Sequence, residues 1–127
     1  MRYIILALLL TAVPASAMNR WLALAQYESG NNDFAVGKAK EVSRYQIKPR
    51  EWRSMTSWPL AYATNPACSL AVARKLLDGR VAHFEKRYGR SPSDKEFYAL
   101  WNCPARPIRR SQVVEARCSR FAKLCAQ

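Results

Sequence analysis

The chain has 127 residues, with 21 Lys and Arg against 9 Asp and Glu, a formal net charge of +12, four cysteines and one histidine. That length suits one small domain with a modest core, and no repeat, low-complexity tract or linker divides it. Such an excess of positive charge favours anionic surroundings, while the lack of a C-x-x-C pair and the single His83 argue against a zinc site.

Met1 to Ala17 carries Arg2, the apolar run Tyr3 to Leu10 and the small residues Ala15-Ser16-Ala17. This is the charge, core and cleavage pattern of a secretory signal peptide, residues 1–17, and it predicts an exported protein, periplasmic or secreted, whose mature domain is 18–127. The run is too short for a stable membrane span, which needs roughly 20 apolar residues. Export removes intracellular nucleic acid as an expected partner and leaves an acidic cell-wall polymer or anionic lipid. Arg106, Arg109, Arg110, Arg117, Arg120 and Lys123 place that polyanion contact in the basic C-terminal region.

Asn19 can cap a first helix that runs through Ser29 and breaks at Gly30-Asn31-Asn32-Asp33. Glu28 lies seven residues after Trp21, four after Leu24 and three after Ala25, so its carboxyl shares their inward stripe. Residues 31–48 lack helical period and read as a loop or short irregular hairpin. Pro49 opens a short helix with Glu51, Trp52 and Met55, ended by Trp58-Pro59. Trp52, Trp58 and Trp101 are all expected in the core.

Asn65-Pro66 starts the longest helix, with Leu70, Ala73, Leu77, Val81, Phe84 and Tyr88 at steps of three or four, stopped by Gly89. His83 sits at the edge of that stripe as a surface residue. Ser93 and Glu96 form a capping-box pattern opening a helix from Asp94 to about Trp101, and Pro104 and Pro107 bracket a turn. The last helix spans about 109–124, with Val114, Cys118, Phe121 and Cys125 on one stripe.

An even cysteine count in an exported small domain predicts disulfides. Cys118 and Cys125 are seven helical residues apart, a rise of about 10 Å. That exceeds the roughly 6 Å between bridged Cα atoms, so each is expected to pair with Cys68 or Cys103, in either order.

The order Glu28-Ser29, Tyr45-Gln46-Ile47, Asn65-Pro66 and Tyr98-Ala99-Leu100-Trp101-Asn102 resembles the lysozyme-like, soluble lytic transglycosylase (SLT-type) family over roughly Trp21 to Pro104. The resemblance implies a mainly α, lysozyme-like helical domain with a short irregular hairpin or loop after the catalytic helix, and makes the 109–124 helix an addition. It implies cleavage of the β-1,4 bond between N-acetylmuramic acid and N-acetylglucosamine in peptidoglycan glycan strands, without a cofactor or metal. Glu28 takes the role of the sole catalytic acid. Ser29, Gln46 and Asn102 orient the carboxylate and the muramoyl N-acetyl group, and Tyr45 and Tyr98 line the groove. Two departures stand out: Ser43-Arg44-Tyr45 replaces a glycine-led turn, and Trp101-Asn102-Cys103-Pro104 replaces Tyr-Asn-Ala-Gly.

The chemistry of the residues agrees with that role. A glycosidic leaving oxygen needs a proton, so the acid must stay protonated near neutral pH. Burial among Trp21, Phe34 and Tyr45, and the negative end of the helix dipole, would both raise the pKa of Glu28. Asp33 and Glu41 are the only carboxylates in the segment expected to face it. With either as a second acid the enzyme would be a hydrolytic lysozyme; without one, Glu28 acts in turn as acid and base and the product is a 1,6-anhydro sugar. A non-catalytic glycan-binding protein of the same fold, and a cationic membrane-active protein, are the readings from other classes.

Overall fold

The computed structural model describes residues 19–127. The signal peptide expected at residues 1–17 lies outside the described residues. The chain is mainly helical: α1 (Arg20–Ser29), α2 (Pro49–Met55), a 3-10 turn (Leu60–Thr64), α3 (Pro66–Tyr88), α4 (Asp94–Asn102) and α5 (Gln112–Cys125).

The helix ends follow their local chemistry. Asn19 Oδ1 accepts from the Trp21 N–H at 2.8 Å, and Gly30 closes α1 in the left-handed conformation at φ 65°. Asn65 Oδ1 accepts from Ala67 and Cys68, with Pro66 as the first helical residue of α3. The capping box at α4 is complete: Ser93 Oγ accepts from the Glu96 N–H, and Glu96 Oε1 accepts from the Ser93 N–H. Arg90 grips both Glu96 oxygens at 2.7 Å. These two sets of contacts hold the Glu96 carboxyl well below the usual range, at about 2, with Arg90 the larger cause. Ser111 caps α5, which starts a turn later than the expected 109 because Pro107 and the residues after it stay irregular.

Helix α4 stands between α3 and α5, and α5 also packs on α1. Phe121 stacks against Tyr98 at 5.2 Å and Phe97 at 6.0 Å between ring centroids. Such a fully enclosed ring is worth about 3 to 5 kcal/mol against truncation to Ala. The C-terminal helix is therefore part of the core, although the family resemblance stops before it. Trp52 is fully buried and donates its Nε1–H to the Trp58 carbonyl, but the Trp58 ring itself is exposed, contrary to its expected core place.

The four cysteines are free thiols, so the expected bridges of Cys118 and Cys125 to Cys68 and Cys103 are not formed. Cys118 and Cys125 do face inward, on the helix that packs against α4 and α1. Cys68 sits in the first turn of α3, which packs on α4, and Cys103 is the C-cap of α4. Burial raises both inner thiols, Cys125 to about 11, which leaves them protonated at neutral pH.

Residues 31–48 form the expected irregular hairpin, joined by the antiparallel bridges Val36 to Val42 and Val42 to Ile47. Ser43 occupies the left-handed region at φ 73° where the resemblance expects a glycine. Its buried hydroxyl accepts from the Tyr45 N–H at 3.1 Å, a local bond that offsets part of the strain. Gln46 is also left-handed, at φ 55°.

Candidate active site

Glu28 lies in the last turn of α1, on the stripe with the fully buried Leu24 and Ala25. Its carboxyl is half-buried at one wall of a groove of about 610 Å³, within the size range of small-ligand sites. Tyr98 Oη donates to Glu28 Oε1 at 3.0 Å. Burial raises the Glu28 pKa and is the largest cause. The Tyr98 bond and the Arg117 charge pull it down, and the Glu41 charge pushes it up again. The net shift is upward, toward the protonated form that proton donation requires.

The groove also takes Glu41 and Gln46 from the hairpin, Trp101 and Asn102 from the end of α4, and Arg117 from α5. Gly37 supplies the space between them: a Cβ there would collide with Glu41 Oε2 and lie 2.7 Å from Gln46 Oε1. The end of α4 is fixed by Arg80, whose Nη1 donates to the Leu100 and Trp101 carbonyls while Nη2 pairs with Glu51 at 2.8 Å.

Several expected site residues do other work. Ser29 Oγ donates to the Arg44 carbonyl at 2.8 Å and accepts from the Asn32 N–H at 3.0 Å, so it latches α1 to the hairpin outside the groove. The Gln46 Nε2 donates to the Ser43 and Ala35 carbonyls, which leaves only its Oε1 toward the groove. Tyr45 is 4% exposed, with its ring edge-on to Trp21 at 6.4 Å, so it belongs to the core and not to the groove wall. Phe34 is 76% exposed and does not bury Glu28. Tyr98 is buried and reaches Glu28 only through its hydroxyl.

The two candidate second carboxylates separate cleanly. Asp33 is held by Nε and Nη2 of Arg44, at 2.7 and 3.0 Å, and lines a different cavity beside Phe34. Glu41 shares the groove with Glu28 and accepts from the Ala39 N–H at 2.9 Å.

Compared with known proteins, the chain matches no family model, no curated sequence and no solved structure. The site must therefore be read from its own geometry. Sequence reasoning missed Arg117, Gly37, Lys38 and Lys48, and assigned Trp101 to the core although it lines the groove. Arg117 had a legible signal: it lies three residues after Val114 and four before Phe121, at the border of the α5 apolar stripe. No cluster of three or more His, Cys, Asp or Glu that could hold a metal occurs among the described residues, and no described helix is long and apolar enough to cross a membrane.

Proposed function

We propose that the protein is an exported peptidoglycan lytic transglycosylase with a lysozyme-like fold, cleaving the β-1,4 bond between N-acetylmuramic acid and N-acetylglucosamine. The observation that carries this reading is the half-buried Glu28, raised in pKa, hydrogen-bonded by Tyr98 and open to a groove of sugar-binding size. Protonated Glu28 gives its proton to the glycosidic oxygen as the C1–O bond breaks. The resulting carboxylate then takes the proton of the sugar's own 6-hydroxyl as O6 bonds to C1. Glu28 ends protonated, no water is consumed, and the muramic acid end becomes a 1,6-anhydro sugar. Trp101 and Asn102 offer a stacking face and an amide for the sugar rings, and the Arg117 charge favours the ionised carboxylate between the two proton transfers.

Engagement of Asp33 by Arg44 favours the route without a second carboxylate. Glu41 supports the alternative, a hydrolytic lysozyme in which it holds the attacking water, because it lies in the same groove. Mass spectrometry of muropeptides released from purified peptidoglycan tests the assignment. Anhydro-ended products are expected, reducing-end products would support the hydrolase, and no release would leave a glycan-binding protein.

A further inference from the structure

Two further cavities adjoin the groove at Glu28. Glu51 belongs both to its wall and to a neighbouring cavity between α2 and α3, and His83 and Leu100 join that cavity to a third of about 750 Å³. Pro104 lines all three. The three cavities thus adjoin at Pro104, the last of them lying between α3 and the 103–111 segment.

That last cavity differs in chemistry from the Glu28 groove. Arg87, Arg106 and Arg109 surround it with no Asp or Glu in its lining, over an apolar floor that includes the buried Phe84 and Leu100. Arg20, Arg44, Arg80, Arg90 and Arg110 are each paired with a carboxylate. Arg87, Arg106 and Arg109 have no ion-pair partner among the described residues. Like charges gathered at one cavity repel unless an anion joins them, and the planar guanidinium fork suits a carboxylate.

We propose that this basic cavity is a subsite for the carboxylate-bearing peptide attached to the same glycan strand whose glycosidic bond lies at Glu28. The inference rests on the peptidoglycan reading above. Adjacency of this cavity to the Glu28 groove favours a group covalently attached to that strand, and the apolar floor suits the small side chains of a short peptide as well as the basic rim suits its carboxylates. Arg87, Arg106 and Arg109 are all exposed, so their replacement leaves the core intact.

The test is co-sedimentation of the Glu28→Gln protein with purified sacculi, intact or stripped of peptide by an amidase, with and without the combined Arg87→Gln, Arg106→Gln and Arg109→Gln substitutions. Intact sacculi should be bound on the order of tenfold more tightly than stripped ones, a preference of the size a few exposed charge contacts provide. The triple variant should lose that preference. Equal binding to both materials, or a preference that survives the triple substitution, would each overturn the proposal. Product analysis with the unsubstituted enzyme judges the cleavage reading separately, so failure of one is distinguishable from failure of the other.

Discussion

Tyr98 and Glu28, separated by 70 residues in the chain, meet at 3.0 Å through the phenol hydroxyl and one carboxylate oxygen. The bond joins the end of α1 to the middle of α4, and the Tyr98 ring is held by Tyr27 edge-on at 5.0 Å and by Phe121 in a stack. A phenol fixed in this way donates to the ionised carboxylate and so favours ionisation against the larger, opposing effect of burial.

Tyr98→Phe should keep the ring packing and remove only the hydroxyl, at a stability loss of about 1 kcal/mol. With that bond gone the Glu28 pKa rises further, so the acid stays protonated to higher pH. The alkaline limb of the peptidoglycan-clearing pH profile should move upward while the maximal rate falls. A limb that stays in place or moves to lower pH would show that the hydroxyl does not tune Glu28.

Glu28→Gln should cut clearing by at least about a hundredfold, the low end of general-acid effects. Its stability effect has the opposite sign. A carboxyl with a raised native pKa favours folding in its protonated form, and that contribution is lost as pH rises through the native value. The Gln variant should therefore melt higher than the parent at pH 7 and about equally at pH 3. Retained clearing would sink the catalytic role, and a lower melting temperature at pH 7 would show that the charge is well solvated.

Gly37→Ala tests the groove wall. The added methyl meets only the ends of the Glu41 and Gln46 side chains, which can swing away, and Gly37 does not lie at positive φ. Stability should change by less than about 1 kcal/mol, yet clearing should fall several-fold as both side chains leave their places. Unchanged activity would mean that neither contributes to the site.

What the sequence made legible is what local rules control. Asn19, Asn65, Ser93 and Gly89 act at helix ends through contacts within a few residues, and Glu28 faces inward because helical periodicity places it there. The misplaced residues depend on contacts across the chain. Tyr45 is drawn into the core by Trp21, whereas Phe34 has no such partner and points outward. Ser29 finds the Arg44 carbonyl, which only the hairpin's path brings near. The cysteines stand as free thiols here, and their placement was not legible because parity says nothing of where the helices carry them. The turn Leu60–Thr64 lacks the length for any helical period to show.

The Glu96 cap predicts an acid limb of stability. Its native pKa is depressed to about 2, so its contribution is present above the unfolded value and is lost as pH falls from about 4.5 toward 2. Glu96→Gln can keep the cap to the Ser93 N–H but loses the Arg90 pair, whose arginine is half exposed. A loss of at most about 1 kcal/mol at pH 7 is expected, because the exposed arginine is screened by solvent. Glu96→Ala should cost more because the cap goes too. Urea melts of both variants at pH 7 and pH 2.5 check this, and a Gln variant as stable as the parent at pH 7 would show that the ion pair contributes nothing.

Asp33→Asn and Glu41→Gln separate the two reactions proposed for Glu28. Asp33 is tied to Arg44 and faces away from the groove, so its substitution should loosen the hairpin by about 1 kcal/mol and leave clearing within a few fold. Glu41 is the informative position because its charge reaches Glu28. In a transglycosylase it holds no water, and Glu41→Gln should leave the rate within a few fold while moving the alkaline limb to lower pH, since a negative neighbour that raised the Glu28 pKa is gone. Released sugars should end in 1,6-anhydromuramic acid, lighter by one water than a hydrolytic product. In a hydrolase the same substitution should abolish clearing, and the parent's products should carry reducing ends. Loss of clearing in Glu41→Gln together with anhydro products from the parent would fit neither route and would assign Glu41 to sugar binding.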